Sequence, residues 1–182
     1  GSFPGPWKFD RHPWLKEMHD TKAWMNVGQK AAQMGYTEAL LNTIFYYIDV
    51  KKVDCLYLLP ATKPDASDFS ASRFDPALEC SAHLGKTFSD VKNLGHKRAG
   101  TTNLYIRGSR SKSGLKSIPV GFIAFDEVDE MDQENIPLAM ERTSGQLEKL
   151  IWMISTPTID NVGINKHFRM TTQEHYFFKC PS

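Results

Sequence analysis

Apolar residues along this chain gather in short runs separated by polar, glycine- or proline-containing stretches. Ala23-Trp24-Met25-Asn26-Val27 is the first strand-like run. Val53-Asp54-Cys55-Leu56-Tyr57-Leu58-Leu59, stopped by Pro60, is nearly continuous, as a strand buried on both faces should be. Residues 118–125 and 149–154 repeat that pattern; residues 102–107 alternate, and residues 175–179 form a last strand candidate. Between the runs the period lengthens. Ala39, Leu40, Ile44, Tyr47 and Ile48 predict a helix over residues 37–50. Shorter helices are predicted over residues 13–20, 63–73 (with a break or restart at Asp75-Pro76), 137–143 and 164–170. Residues 80–99 read as polar and irregular, and residues 108–117 as a mobile Gly/Ser/Lys/Arg loop. The proline- and aromatic-rich stretch from Phe3 to Trp14 reads as an extended arm. Apolar strands separated by helices predict an α/β domain with a mostly parallel central sheet flanked by helices. Ligands bind such sheets outside the carboxyl ends of the strands.

Composition narrows this without changing it. A length of 182 residues suits one domain with a sizeable core, and 41% hydrophobic with 24% charged residues excludes a disordered or fibrous chain. No apolar run is long enough to span a bilayer, so no membrane role is expected, and nothing at the amino terminus reads as a signal peptide. Gly1-Ser2 reads as an expression scar, which leaves residues 3–182 as a single domain. Cys55, Cys80 and Cys180 are odd in number and far apart, arguing against a disulfide framework and for a reducing, cytoplasmic setting. The net charge is only +1, but it is unevenly spread. Lys86, Lys92, Lys97, Arg98, Arg107, Arg110, Lys112 and Lys116 face Asp90 alone, while residues 125–148 carry eight acids against Arg142. That describes either two differently charged surfaces or two solvated faces that neutralise each other.

Three polar segments each follow a predicted strand. The first is Lys30-Ala31-Ala32-Gln33-Met34-Gly35-Tyr36-Thr37-Glu38. A phosphate loop usually runs Gly, four residues, then Gly-Lys-Ser/Thr. Gly35 and Thr37 fill the last glycine and the hydroxyl, Tyr36 fills the lysine slot, and Lys30 stands where the first glycine would. On the residues alone this is either a phosphate loop with its charge displaced or an ordinary strand-to-helix turn. As a phosphate loop, its backbone amides would face phosphate oxygens at the start of the next helix. Lys30 would reach the β- and γ-phosphates, and Thr37 would offer its hydroxyl to Mg²⁺. The second segment is Phe122-Ile123-Ala124-Phe125-Asp126-Glu127. Adjacent acids at the end of an apolar strand need partners. Asp126 would hold Mg²⁺ through its water shell, and Glu127 would take a proton from attacking water as general base. Asp129 and Glu130 read instead as caps or solvated residues of the following helix. The third segment, Ser155-Thr156-Pro157, could touch the γ-phosphate or its water and sense hydrolysis.

Together, in this order and spacing, the three segments resemble the ATPase domain of tailed-phage DNA-packaging motors, and among them the lambda-type (GpA-like) terminase large subunit. The resemblance covers almost the whole chain. It takes in Phe3-Pro4-Gly5-Pro6-Trp7 and Arg11-His12-Pro13-Trp14-Leu15, then Pro60-Ala61-Thr62, Asp68-Phe69-Ser70 with Asp75-Pro76, and Gly114-Leu115-Lys116-Ser117. In that family the loop lysine commonly stands at the start, which accounts for Lys30. The resemblance implies an ASCE-type P-loop NTPase fold and Mg²⁺-dependent ATP hydrolysis that powers translocation of viral double-stranded DNA into a procapsid. It further implies a homo-oligomeric ring on the capsid portal, a small terminase subunit that selects the DNA, and a host-cell cytoplasmic setting. Ser155 and Thr156 would then couple the phosphate state to the DNA-gripping surface. Cys180-Pro181-Ser182 looks like half of a Cys-Pro-x-Cys knuckle, so the natural chain is expected to continue into a nuclease domain, with no nuclease activity in this part.

Two positions depart from the family pattern. Related motors often read adenine with an amino-terminal glutamine, where this chain holds Leu15. Where relatives often supply an arginine to a neighbouring subunit's site, it holds Lys116, a point charge without the planar fork; Arg107 and Arg110 stand nearby. The competing readings are another ASCE translocase of helicase type and a nucleotide-binding module that does not hydrolyse. Trp7, Trp14 and Trp24 are read as packing residues before base-stacking ones. The basic block could meet DNA phosphates or the next subunit. The six histidines show no metal-ligand spacing with the cysteines, so no zinc is expected. Cys55 reads as core.

Overall fold

The computed structural model describes residues 6–89, 91–116 and 118–180. Asp90, Ser117 and the expected landmarks at Phe3-Pro4-Gly5 and Pro181-Ser182 lie outside the described residues. The strands are β1 (Met25–Gln29), β2 (Cys55–Leu59), β3 (Val91–Asn93), β4 (His96–Ala99), β5 (Thr102–Gly108), β6 (Phe122–Asp126) and β7 (Leu150–Ser155). They form one seven-stranded sheet in the order β1-β7-β6-β2-β5-β4-β3. The five strands from β1 to β5 in that order are parallel, and β4 and β3 add an antiparallel margin.

Helices cover both faces, as a buried parallel sheet requires. They are α1 (Leu15–Asp20), α2 (Tyr36–Tyr46), α3 (Ser67–Phe69), α4 (Asp75–Glu79), α5 (Ala82–Thr87), α6 (Lys112–Leu115), α7 (Asn135–Met140) and α8 (Gly163–Phe168). α2 widens into a π-helical turn over Tyr47–Lys51, so the single helix expected over residues 37–50 is present with its last part loosened. Thr62–Ala66, α3, Ser70–Phe74 and α4 follow one another as an irregular helical run; Pro76 falls in the first turn of α4, where a missing amide costs little. None of the helices is long and apolar enough to cross a membrane among the described residues.

Strand parity sorts the core into two layers. Cys55 and Tyr57 of β2, Phe122 and Ala124 of β6, and Trp152 and Ile154 of β7 face α2 together with Leu40, Ile44 and Phe74. Leu56, Leu58, Ile123, Phe125, Ile151 and Met153 face the other way, onto Val128, Ile136, Ala139 and Ile164. Asp126, two residues beyond Ala124 on β6, therefore belongs to the α2 side.

Four expectations need correction. β1 begins at Met25, and Trp24 is left exposed with the Lys149 ammonium over its ring. Residues 80–99 are not irregular: they hold α5 and the β3–β4 hairpin. Polar residues disguised that hairpin, because Lys97 is only 1% exposed and reaches the Asp75 carboxylate at 2.7 Å. Residues 108–117 include α6, a single turn whose start is capped by the Ser111 hydroxyl and whose end is anchored by buried Leu115. Residues 175–179 form no strand. Their alternation is real, but the chain runs exposed and unpaired, with Tyr176 and Phe178 edge-on to Trp14.

Candidate active site

β1, β7 and β6 are sheet neighbours, and their register sets Gln29 beside Ser155 and Ile154 beside Asp126. Their carboxyl ends therefore bring Lys30, Ser155 and Asp126-Glu127 side by side. The Lys30 amide donates to the Ser155 carbonyl at 3.0 Å, which fastens the start of the loop to β7. Gln33 and Gly35 are both left-handed, with φ of 60° and 79°. Only glycine fits at 35 in two respects: any Cβ there would also lie 2.9 Å from Leu15 Cδ1. α2 starts at the next residue, so strand, loop and helix succeed one another as a phosphate cradle requires.

Tyr36, in the usual lysine slot, turns its ring under β1. A Cβ on Gly28 would come 2.7 Å from that ring, so Gly28 and Tyr36 are shaped to each other. Burial raises the Tyr36 phenol above its ordinary range, with Glu17 adding to the effect. Glu38, also in the first turn, is paired with Arg73 at 2.6 Å.

Lys30 Nζ meets Glu127 Oε1 at 2.9 Å. The lysine side chain is 6% exposed and the glutamate 41%. Glu127 adopts φ 63° and ψ 55°, a left-handed conformation that a non-glycine residue holds at a cost, and such residues cluster at functional sites. Its amide is tied to the Ile154 carbonyl at 2.9 Å. Ser155 Oγ lies 3.5 Å from Glu127 Oε2 and accepts the Asp129 amide at 3.1 Å. Thr156 is half-buried behind it, its carbonyl 3.3 Å from the same hydroxyl.

Asp126 is 3% exposed. Its Oδ2 accepts from Thr37 Oγ1 at 2.9 Å and from the Tyr57 hydroxyl at 2.6 Å, while buried Oδ1 has no partner among the described residues. Burial pushes this carboxyl up; the bonds from Tyr57 and Thr37 pull it back, Glu127 raises it and Lys30 lowers it. Burial also pushes the Tyr57 phenol well up, with the neighbouring Asp126 charge second. An orphaned carboxylate oxygen beside a threonine hydroxyl is a hard donor set that fits Mg²⁺. That ion commonly takes one or two protein oxygens and completes its shell with water and phosphates. Among the described residues no cluster of three or more His, Cys, Asp or Glu stands ready for another kind of metal site.

Not every expected residue joins this group. Asp129 neither caps nor solvates the helix that follows it. Its carboxylate accepts from the Thr158 amide and hydroxyl, both at 2.8 Å, and from the Ile164 amide at 2.7 Å, clamping the turn between β7 and α8. Lys116 and Arg110 are exposed and share no hydrogen bond or ion pair with Lys30, Asp126 or Glu127 among the described residues. Arg107 is folded back onto the Gly95 and Ile106 carbonyls, with its guanidinium 5.7 Å from the Tyr105 ring centre. Leu15 is fully buried. Beside the loop lies a cavity of about 230 Å³ walled in part by Trp14, Gln29, Met34, Tyr176 and Phe178. Trp14 Nε1 donates to the Met34 carbonyl at 2.9 Å, so the arm also braces the loop. Sequence reasoning missed Tyr57 and Arg73. Tyr57 did leave a signal: one hydroxyl inside a fully buried strand must find a partner.

Over residues 1–182 the sequence matches the family described as phage terminase large subunit gpA, ATPase domain, and the chain belongs to that family. No curated protein matches it in sequence. Among solved structures it is similar to the large terminase ATPase domain of Thermus phage P74-26, at 14% identity and a TM-score of 0.64, covering 85% of this chain and 66% of that one. It is similar to the large terminase of bacteriophage HK97, at 12% identity and 0.73, covering 90% and 36%. The Phi-28 gp11 DNA packaging motor follows at 15% identity and 0.50, covering 94% and 54%. At these identities the likeness shows the fold alone, an α/β domain with a mostly parallel sheet. The chain spans 66% of the Thermus phage domain and 36% of the HK97 protein.

Proposed function

We propose that this domain hydrolyses ATP with Mg²⁺, and that in the large terminase subunit this hydrolysis drives double-stranded DNA into a procapsid. The observation that carries the reading is the convergence of Lys30, Thr37, Asp126 and Glu127 at the carboxyl end of the sheet, with Asp126 Oδ1 left unpartnered among the described residues. The amides of the loop from Ala31 to Glu38 cradle the phosphates. Lys30 exchanges the Glu127 carboxylate for β- and γ-phosphate oxygens, which frees Glu127 to take a proton from the attacking water. A positioned base of this kind contributes about 10²–10⁴-fold to rate. Thr37 and Asp126 would hold Mg²⁺, which when bound would neutralise phosphate charge. The adenine ring lies in the adjoining cavity by Trp14, since buried Leu15 has nothing polar to offer it.

Ser155 and Thr156 pass the state of the site outward. The Ser155 hydroxyl stands between Glu127 and Asp129, and Asp129 holds the Thr158–Ile164 turn. A site completed by a neighbour fits the exposed Lys116, with Arg110 next; Arg107 is occupied within its own fold. The working assembly is a homo-oligomeric ring on the portal, given its DNA by a small terminase subunit in the host cytoplasm. The test is phosphate release from ATP with and without Mg²⁺, for wild type and Thr37→Ala. Nucleotide binding without release at any protein concentration would favour a non-hydrolysing module, and strand separation activity would favour a helicase-type translocase.

A further inference from the structure

Tyr57 heads the largest fully buried side chains, and nothing about packing alone explains its hydroxyl. It sits on β2 opposite Ala124, on the same sheet face as Asp126. Its ring stacks on Phe69 with centroids 4.3 Å apart and planes 20° from parallel. This stack fixes the ring, and the ring places the hydroxyl 2.6 Å from Asp126 Oδ2. The Thr37 hydroxyl donates to the same oxygen. With Oδ2 held from two sides the carboxylate cannot rotate freely, and Oδ1 is the oxygen left over. Phenylalanine would pack as well on Phe69 but would leave the carboxylate held by Thr37 alone.

We infer that Tyr57 is a positioning residue: it fixes the rotation of the Asp126 carboxylate so that Oδ1 is presented to the nucleotide-bound magnesium. This rests on the reading of Asp126 as the metal side of the ATP site. The helical run that carries Phe69 also carries Arg73, which holds Glu38 beside Thr37, so both hydroxyls that grip Oδ2 are braced from one segment.

The test is Tyr57→Phe, read by equilibrium binding of a non-hydrolysable ATP analogue in Mg²⁺ and in EDTA, with thermal unfolding alongside. The affinity in EDTA should match wild type. The extra affinity conferred by Mg²⁺ should fall about tenfold, the worth of one charge-assisted hydrogen bond. With Mn²⁺ in place of Mg²⁺, the resonance of the bound ion should broaden as its shell loses a fixed oxygen. Restoring a donor with para-aminophenylalanine at 57 should recover most of the metal-dependent affinity. A Tyr57→Phe protein with altered melting but wild-type Mg²⁺ dependence would overturn the inference and leave Tyr57 as core. Asp126→Asn separates the two levels. If it too keeps wild-type Mg²⁺ dependence, the reading of Asp126 fails and the role of Tyr57 falls with it; if it loses that dependence while Tyr57→Phe keeps it, only the role of Tyr57 fails.

Discussion

Replacing Glu127 with glutamine should separate nucleotide binding from turnover. The Lys30 ammonium is held by Glu127 at 2.9 Å, and that contact must open before the lysine can serve a phosphate. Two unit charges at about 4 Å interact by about 4 kcal/mol at an effective dielectric near 20. Lys30 is close to buried, but Glu127 is 41% exposed, so water and salt screen the pair toward the roughly 1 kcal/mol of exposed pairs. A working value of about 1–2 kcal/mol corresponds to about five- to thirtyfold in affinity. Glutamine keeps the shape and removes the charge. Glu127→Gln should therefore bind an ATP analogue about five- to thirtyfold more tightly, while phosphate release falls about 10²–10⁴-fold with the loss of the base. The gain in affinity should shrink as ionic strength rises, since part of the contact is open to solvent. Fluorescence titration with a labelled analogue and a phosphate-release assay read the two effects separately. Affinity unchanged or weaker, together with turnover near wild type, would refute both the exchange of partners at Lys30 and the assignment of the base.

Asp126→Asn should abolish the effect of Mg²⁺ on nucleotide affinity and also change how stability depends on pH. Burial raises this carboxyl, so the folded state holds the proton more tightly than the unfolded chain. Its contribution to stability is then lost as pH climbs from about 4, the ordinary carboxylate value, through the raised folded value. Urea unfolding across that range should show a flatter slope for the variant, and an unchanged slope would contradict the assignment. Lys97 and Asp75 offer a contrast in stability alone. Asp75→Ala strands a buried ammonium and should cost about 1–3 kcal/mol, less than a fully buried pair because Asp75 is 37% exposed; Lys97→Met should cost less, and the reverse order in chemical denaturation would show the pair is misread. For Lys116 the expectation concerns mixtures. Lys116→Ala and Glu127→Gln proteins, each slow alone, should regain turnover when combined, and no recovery would remove Lys116 as a residue acting on a neighbour's site.

What could be read from the sequence was what is local along the chain. Asp126-Glu127 ends an apolar run, Lys30 to Thr37 joins a strand to a helix, and those positions alone put them at neighbouring strand ends once the sheet is parallel. Tyr57 was harder to see because its partner is 69 residues away and lies across a strand boundary. The β3–β4 hairpin was hidden by Lys97, whose charge is satisfied by Asp75 from a different element. Residues 175–179 failed in the opposite sense: they alternate as a strand does, but their rings are taken up by the packing around Trp14 and Phe168 rather than by a sheet edge. Tyr36, odd in the motif, became intelligible only when its ring was found against Gly28. Apart from the local Gly28–Tyr36 contact, the missing information was a long-range partner.

The proposed mechanism requires Lys30, Thr37, Asp126 and Glu127 to form one ATP-hydrolysing site. The most direct measurement is phosphate release from ATP in Mg²⁺ by the wild type and Lys30→Ala, each followed over a range of protein concentration. Release should require Mg²⁺, rise per molecule as the protein is concentrated, and be lost in Lys30→Ala. Near-normal release by Lys30→Ala, or a wild type that neither binds nor hydrolyses ATP at any concentration, would contradict it.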